Sequence, residues 1–365
     1  MKNSFGQSVI VTLFGESHGS MIGAVLDGMA PGIPVDTDYI AHQLTLRRPV
    51  GSTGTKRRES DAFQIVSGVF EGRTTGTPLC ILIPNEDTRS KDYAATRSLA
   101  RPGHADYTAY CKYHGFEDYR GGGHFSGRIT AALVAVGAVA LSALKNKGIY
   151  VATHISRCAD VQDRPFQNLA ADMSALSAAQ FAVLEAAAAK QMQEKIEEAA
   201  IQGDSVGGVL ETVVTGIPAG VGEPWFDTVE SVLSHILFSV PAVKGVEFGD
   251  GFGMADLFGS EANDPFRVED GKIVTKTNRN GGVNGGITNG MPILFRCAVK
   301  PTPSIYKPQE TVDFLKTENA GLMIEGRHDP AILHRARVVA DSVTALALCD
   351  LLSLRYGTDW FGGNT

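Results

Sequence analysis

The sequence has few cysteines and none of the spacings that serve metals or disulfides. Its five cysteines are scattered and form no Cys-x-x-Cys pair: Cys80, Cys111, Cys158, Cys297 and Cys349. A disulfide framework is therefore not expected. We expect reduced thiols in a cytoplasmic protein. The chain starts with one Lys and a short apolar run, which is not typical of a signal peptide.

The sequence also lacks an excess of positive charge. With 33 Lys and Arg against 40 Asp and Glu, its net charge is -7, which disfavours nucleic acid and anionic membranes as partners. Nor is there a Walker loop or a Gly-x-Gly-x-x-Gly motif. Any site for an anion must therefore be a local cationic patch.

The sequence is rich in hydrophobic residues and in glycine. The 365 residues are 43% hydrophobic, enough for a large core, and no low-complexity linker divides them. We therefore expect a single domain over residues 1–365. The 41 glycines exceed the average of about 7% and indicate many tight turns.

The pattern of apolar residues predicts an α+β fold of layered strands and long buried helices. Residues 8–14 and 23–28 predict a hairpin, and Asp36 or Thr37 an N-cap for a helix ending near Arg48. Further strands are predicted at 207–215, 243–248, 271–277 and 291–300, and further helices at 126–145, 172–202 and 335–355, the last of them amphipathic. Irregular alternation of the two argues against a Rossmann repeat.

The helix at 126–145 is apolar on nearly every face and long enough to span a membrane. Arg128, Thr130 and its small residues favour a buried core helix instead.

A faint internal repeat suggests two related halves. Residues 15–19 (GESHG) resemble residues 203–207 (GDSVG), and each is followed by an apolar run and then a second glycine-rich turn. A duplicated unit predicts this pattern, and chance similarity of glycine-rich turns also accounts for it. Val206 stands where the first copy has His18.

Several short motifs combine histidine, arginine and glycine. His18 lies between glycines, Arg101 and His104 flank a Pro-Gly turn, and Gly121–Gly123 precede His124 and Arg128. A cationic run contains Arg47, Arg48, Lys56, Arg57 and Arg58, within or beside a polar segment, 49–62, that is typical of a mobile loop. Such residues suit phosphate and carboxylate binding and proton transfer, but each motif alone is also compatible with an ordinary turn or a solvated loop.

In their order along the chain, these motifs resemble the chorismate synthase family. The matching blocks are GESHG at 15–19, RPGHADYT at 101–108, GGGHFSGR at 121–128 and GRHDP at 326–330, and the resemblance extends from about residue 5 to 355. It implies a layered β-α sandwich in a homotetramer. It also implies the elimination of phosphate from 5-enolpyruvylshikimate 3-phosphate (EPSP) to give chorismate, which requires reduced FMN.

The resemblance assigns roles by position. It implies that His104 serves the phosphate leaving group, that His18 serves the reduced flavin, and that Asp329 relays the proton lost from the substrate. It implies substrate contacts by Arg47, Arg48, Arg57, Arg101, Arg128 and Arg327. It implies FMN contacts by His124, Phe125, Ser126, Pro241, Ala242, Gly285, Lys300, Pro301, Thr302, Pro303, Ser304 and Arg327.

Some positions depart from the family pattern. The family usually has Arg-Ser where this chain has His124 and Phe125, and Asn where it has Pro241. We therefore expect weaker or more pH-dependent FMN binding. No segment resembles a fused NAD(P)H-oxidising domain, so an external flavin reductant is expected.

Two other functions remain open at this point. Residues of the types that bind zinc or manganese would suit a metallohydrolase, although the surrounding arginines would repel a cation. They are Glu16, His18, His104, Asp106, His328 and Asp329. A protein that stores flavin or binds phosphate without catalysis is the second alternative.

Overall fold

The structure is a computed structural model that describes residues 2–49, 60–86, 97–324 and 329–362. Its strands are β1 (Ser4–Phe5), β2 (Ile10–Gly15), β3 (Met21–Asp27), β4 (Gln64–Ser67), β5 (Val69–Phe70), β6 (Arg73–Thr74), β7 (Leu79–Pro84), β8 (Tyr150–Cys158), β9 (Val161–Gln162), β10 (Gly208–Thr215), β11 (Val243–Phe248), β12 (Phe266–Glu269), β13 (Lys272–Thr275), β14 (Val283–Asn284), β15 (Ile287–Thr288), β16 (Ile293–Val299), β17 (Gln309–Asp313) and β18 (Glu318–Leu322). Its α-helices are α1 (Thr37–Leu46), α2 (Asp106–Tyr113), α3 (Thr130–Asn146), α4 (Leu169–Ser177), α5 (Ala186–Ile201), α6 (Val229–Ser239), α7 (Gly259–Ala262) and α8 (Leu333–Tyr356). Short 3₁₀ segments cover Arg120–Phe125, Gly127–Ile129, Gly251–Asp256 and Thr358–Phe361.

Two five-stranded antiparallel sheets enclose a layer of helices. The first has the order β1-β2-β3-β7-β4 and the second, read from its far edge, β9-β8-β10-β16-β11. Helix α3 contacts β3 and β7 of the first sheet, α8 contacts β8 and β10 of the second, and the two helices contact each other. This is an α+β sandwich, sheet against helices against sheet, as predicted.

The central helix α3 is buried in the protein and not in a membrane. Together with the 3₁₀ turn before it, the helix Gly127–Asn146 is long and apolar enough to cross a bilayer, but 89% of its apolar window is buried inside the protein. Gly137 lets α8 approach closely, because a Cβ at that position would lie 2.4 Å from Ser342 Cβ. The prediction of a core helix is confirmed.

The predicted hairpin and first helix are also confirmed. Strands β2 and β3 pair antiparallel. Asp36 is the N-cap of α1, and its side chain accepts a hydrogen bond from Tyr39 N at 3.0 Å, which satisfies one of the free amides of the first turn.

Two predicted helices differ from the structure. The continuous helix at 172–202 is wrong, because residues 178–185 separate α4 from α5. That segment is held by β8 and by the residue after β9: Ala182 O accepts from Ile155 N at 2.8 Å, and the Asp163 carboxylate accepts from Leu184 N at 2.6 Å. The last helix, α8, is not amphipathic, since Arg335 is the one residue between Leu333 and Ser353 that is not buried.

A buried histidine joins the strands of the second sheet. His154 Nδ1 lies 2.9 Å from Asp163 Oδ2, and its Nε2 lies 3.0 Å from Glu211 Oε2. Because carboxylates only accept, both ring nitrogens donate, and the ring is an imidazolium. Burial opposes this charge, but hydrogen bonds to Asp163 and Glu211 outweigh it and raise the pKa of His154 above its ordinary value.

We expect this contact to make folding stability depend on pH. A raised pKa in the folded state gives stabilisation that is complete below about pH 6.5 and is lost as the pH rises through the folded-state pKa. In His154→Gln the free energy of unfolding should fall by about 3–5 kcal/mol, because two buried carboxylates lose their cation. In the variant, the free energy of unfolding should also no longer decline as the pH rises through the folded-state pKa of His154. Urea denaturation between about pH 6 and pH 9 measures both effects, and parallel pH profiles for wild type and variant would contradict the assignment.

Candidate active site

Three consecutive glycines form a tight loop against the first sheet. Gly121, Gly122 and Gly123 have φ values of 58°, 82° and 52°, a region that side chains other than glycine rarely adopt. Gly123 O accepts from Ser17 N at 3.0 Å, so the loop lies directly on the turn that follows β2. A Cβ at Gly123 would lie 2.0 Å from Asp118 O, which leaves no room for a side chain.

The two predicted catalytic histidines converge on this loop. A Cβ at Gly121 would lie 2.1 Å from His18 Cε1 and 2.2 Å from its Nδ1. A Cβ at Gly122 would lie 3.1 Å from His104 Nε2. Gly121 and Gly122 are neighbours, with Cα atoms about 3.8 Å apart. His18 and His104, 86 positions apart in sequence, therefore lie close to each other in the fold.

His104 belongs to a hydrogen-bonded group with Arg101 and Asp106. His104 Nδ1 lies 2.9 Å from Asp106 Oδ1, and Arg101 donates to the same carboxylate through Nη2 at 2.6 Å and Nε at 2.8 Å. Burial would raise the pKa of Asp106, but hydrogen bonds from Arg101 and His104 hold it well below its ordinary value. The Asp106 carboxylate is therefore ionised. Two of the three guanidinium nitrogens of Arg101, Nε and Nη2, donate to it and are not free for a ligand.

The predicted FMN segment Lys300–Ser304 adjoins the His104 turn. Lys300 Nζ donates to Gly103 O at 2.5 Å, and a Cβ at Gly103 would lie 3.3 Å from Pro303 Cβ. Thr302 Oγ1 is buried without a hydrogen-bond partner among the described residues. Ala242 O accepts from Lys300 N at 2.9 Å, which brings the predicted pair Pro241–Ala242 to the same segment.

Asp329 is joined to both the FMN segment and the first helix. It lines a small cavity together with Ser304 and Tyr306. It forms an ion pair with Arg335, whose Nε donates to Arg47 O at 3.2 Å. Asp329 thus lies between the predicted cofactor segment and the end of α1.

Two of the predicted substrate arginines are buried and bonded within the protein. Arg47 donates to Thr130 Oγ1 at 3.0 Å and to Gly127 O at 2.8 Å, at the start of α3. Burial and the neighbouring Arg335 lower the pKa of Arg47 to about 9, so it stays charged at neutral pH. Arg128 pairs with Asp61 and donates to Pro84 O at 3.0 Å.

The arginines leave an excess of positive charge beside the histidine turn. Arg47, Arg48 and Arg128 each lie within ion-pair distance of one carboxylate, that of Asp61. The Arg48 side chain is 38% exposed and is the most accessible of the three. Within the described part of the chain these three arginines share the Asp61 carboxylate, and such a cluster of cations attracts a polyanionic ligand.

Sequence reasoning missed Asn85, Asp61 and Arg335. Asn85 Oδ1 accepts from Arg128 Nε at 2.9 Å, while its amide donates to Glu16 O and Gly19 O at 2.9 Å each. It therefore ties the arginine group to the turn that carries His18. A single amide after a strand gives no sequence signal; Arg335 is marked only by its nearness to Asp329.

The other predicted FMN contacts make bonds within the chain. His124 Nδ1 lies 2.8 Å from Gly15 O, and the Phe125 ring meets Tyr113 edge-on at 6.0 Å between centroids. The Ser126 hydroxyl caps the following 3₁₀ turn by accepting from Arg128 N. These contacts fix the glycine loop in position.

One predicted residue, Gly285, is not joined to this group, and two others lie outside the described residues. Gly285 lies in the β14–β15 hairpin, whose hydrogen bonds run to residues 218–229, for example Val229 N to Gly286 O at 3.0 Å. Arg57 and Arg327 lie outside the described residues, as do Lys56, Arg58, His328 and positions 50–59 of the predicted loop.

The assembled group defines the class of protein. Two imidazoles, a lysine and several arginines lie around a glycine loop, an arrangement suited to an enzyme that exchanges protons with a multiply anionic substrate. The metallohydrolase alternative finds no support, since no group of three or more His, Cys, Asp or Glu within the described ranges could hold a metal ion.

Comparison with known proteins identifies the enzyme class more closely. The family model described as chorismate synthase matches residues 9–353. A chorismate synthase of Thermococcus kodakarensis is 45% identical over 350 residues, which cover 96% of this chain and 97% of the relative. One of Dehalococcoides mccartyi is 44% identical over 358 residues, 98% of each chain. A crystal structure of a chorismate synthase superimposes with a TM-score of 0.75 at 27% identity, covering 96% of this chain and 94% of that one.

The chain belongs to the chorismate synthase family. Its fold is the α+β fold of that family, and its function is that of a chorismate synthase, a lyase of the shikimate pathway that eliminates phosphate from EPSP to give chorismate. The resemblance inferred from the four motifs is confirmed, and membership of the family favours this function over the storage and metallohydrolase alternatives.

Proposed function

We propose that EPSP and reduced FMN meet in the space bordered by His18, His104 and the segment Lys300–Ser304. The observation that carries this proposal is the convergence of His18 and His104 on adjacent glycines, with Lys300 bonded to the turn beside His104. The reaction is a 1,4-anti elimination, in which the phosphate and a ring proton leave on opposite faces.

His104 acts on the leaving phosphate. Its Nδ1 is occupied by Asp106, so Nε2 is the nitrogen that holds a proton for the departing oxygen. Negative charge grows on the phosphate as its bond to carbon breaks, and a positioned acid stabilises that charge more in the transition state than in the bound substrate.

The arginines bind the anionic groups of EPSP. The accessible Arg48 and the fixed charges of Arg101 and Arg128 attract its two carboxylates and its phosphate, and Arg47 adds charge from within the protein. Arg57 and Arg327, which lie outside the described residues, are proposed to complete this set.

The residues present fit FMN. Thr302 Oγ1, buried and unpaired within the described chain, supplies a hydrogen-bonding group, and Lys300 supplies a cation for the cofactor's negative charge. Reduced FMN, when bound, supplies electron density to the ring as phosphate departs. His18 keeps a proton or positive charge beside the flavin, and Asp329 accepts the proton lost from the substrate.

The test is an anaerobic assay of phosphate release from EPSP, with and without dithionite-reduced FMN. Release that requires reduced FMN supports the proposal. Release at the same rate without flavin, or FMN binding without any release, would overturn it.

This chain has His124 where the family usually has arginine, and we therefore expect FMN affinity to depend on pH. If the charged ring contributes to binding, FMN should bind more tightly at about pH 6 than at about pH 8.5, because a protonated imidazole attracts an anion. Fluorescence titration of FMN measures this, with His124→Arg as the variant whose charge does not titrate. Equal affinities at the two pH values in the wild type would reject a role for charged His124.

We propose a homotetramer in the cytoplasm that takes its reduced flavin from a separate reductant. Exposed apolar side chains between residues 252 and 273 support an assembly, since exposed apolar surface often marks interfaces. They are Phe252, Phe258, Phe266, Val268 and Ile273. Light scattering of the purified protein tests the tetramer.

We propose that the single domain arose by duplication. The chain passes through the two sheets in the same order, with β2, β3, β4 and β7 equivalent to β8, β10, β11 and β16. Helix α1 corresponds to α6 and α3 to α8. The residues 15–19 and 203–207 then precede the central strand of each sheet, β3 and β10, which supports the repeat seen in the sequence.

A further inference from the structure

The Asp106 carboxylate makes four polar contacts within one turn of chain. Its Oδ1 meets His104 Nδ1 at 2.9 Å and Arg101 Nη2 at 2.6 Å, and its Oδ2 accepts from Arg101 Nε at 2.8 Å and Arg101 N at 2.9 Å. The side chain is 17% exposed. Asp106 is the first residue of α2, where the helix dipole also favours an anion.

A cap of the helix does not explain this geometry. The N-cap of α2 is Ala105, which makes no side-chain cap bond, and the Asp106 oxygens point back to residues 101 and 104. An acid that served the helix alone would bond to the amides of its first turn. Asp106 bonds to the side chains of the turn that carries His104.

The contacts decide which ring nitrogen of His104 carries the fixed proton. Arg101 Nη2 lies 3.1 Å from His104 Nδ1 and could only donate to a lone pair there, whereas Asp106 Oδ1 is the nearer partner, at 2.9 Å, and only accepts. If Nδ1 lacked a proton, its lone pair would face an ionised carboxylate at 2.9 Å. The proton therefore belongs on Nδ1, and Nε2, the atom near Gly122, is the nitrogen that exchanges protons.

We infer that Asp106 is a positioning residue that holds His104 in the Nδ1–H form with Nε2 directed to the glycine loop, and fixes the Arg101 guanidinium beside it. This inference rests on the proposed role of His104 at the leaving phosphate. Asp106 touches neither substrate nor cofactor and acts through the imidazole and the guanidinium.

The test compares Asp106→Asn and Asp106→Glu with the wild type. The Asn amide can donate to Nδ1 and favours the opposite tautomer, with the proton on Nε2. We expect kcat in Asp106→Asn to fall about 10–100-fold, because the ring is present but wrongly protonated, and KM for EPSP to rise by a smaller factor, because Arg101 is held less firmly. Asp106→Glu, which keeps the carboxylate, should recover part of the loss.

A readout independent of turnover is the ¹⁵N NMR spectrum of labelled histidine in the ligand-free protein. The His104 signals should change from the Nδ1–H to the Nε2–H pattern in Asp106→Asn. Asp172→Asn is the matched control, because Asp172 also binds an arginine, Arg164, through both oxygens at 2.6 and 3.0 Å, but at α4 and without a histidine. It should leave kcat and the His104 spectrum unchanged.

The outcomes separate this inference from the proposed function. If the wild type releases phosphate but Asp106→Asn keeps kcat within about twofold and an unchanged His104 spectrum, the positioning role is wrong. If the wild type itself releases no phosphate with reduced FMN, the proposed function fails first. Equal losses of kcat in Asp106→Asn and Asp172→Asn would indicate a general loss of structure and would also overturn the inference.

Discussion

Replacement of His104 by alanine should reduce kcat by about 10²–10⁴-fold, the range that a positioned general acid contributes. The imidazole lies above Gly122 with Nδ1 held by Asp106, and the substitution removes the group that we propose gives a proton to the departing phosphate. KM for EPSP should change less, because the arginines that attract the substrate remain. Steady-state measurement of phosphate release with reduced FMN gives both constants.

The fold should survive this change. The His104 side chain is partly exposed, so its loss leaves no buried cavity, and the melting temperature should stay within a few degrees of that of the wild type. His42→Ala is the control, since His42 is an exposed residue of α1 and should have full activity. Turnover of His104→Ala near that of His42→Ala would show that another group serves the leaving phosphate.

The second large effect is expected from a single methyl group at Gly121. In Gly121→Ala the new Cβ would lie 2.1 Å from His18 Cε1 and 2.2 Å from Nδ1, far inside contact distance. The imidazole must move by an ångström or more, and a misplacement of about 1 Å costs on the order of 10²-fold in rate. The φ of 58° adds about 1–2 kcal/mol of backbone strain for alanine.

Gly127→Ala separates displacement of His18 from a general effect of added bulk. Among the described residues, no atom beyond the chain neighbours lies within 4 Å of a Cβ at Gly127, and its φ is not in the left-handed region, so this variant should be active. We expect kcat to follow the order wild type, Gly127→Ala, then Gly121→Ala, with the last close to His18→Ala. Full activity of Gly121→Ala, measured beside its melting temperature, would mean that His18 has no fixed role.

Local pattern was enough to predict the elements whose burial follows their own sequence. The helix α3 is apolar on every face, and the hairpin of β2 and β3 is rich in β-branched residues, so both were predicted with nearly correct ends. The break between α4 and α5 could not be predicted, because Ala-rich sequence favours helix throughout. The segment between α4 and α5 is held instead by a hydrogen bond from Ile155 N of β8 to Ala182 O.

For the candidate site, the sequence indicated which residues to consider but not the contacts that they make. His18, His104 and Lys300 were identified by resemblance, and the structure brings them together. The burial of Arg47 depends on contacts with residues about 80 positions away that no spacing reveals, and the bond from Arg101 to Asp106, although local, depends on how the turn at 101–106 folds. Asn85, which connects Arg128 to the His18 turn, had no local signal, because one amide acquires its role only when three segments meet.

The central claim is that distant loops form one cationic chamber for flavin and substrate, and a crystal structure with FMN and EPSP bound tests it most directly. We expect the EPSP phosphate within about 3 Å of His104 Nε2, and the flavin against Lys300–Ser304 with His18 and Asp329 at its edge. Binding of both ligands at a surface remote from the Gly121–Gly122 loop, with the two histidines touching neither, would contradict it.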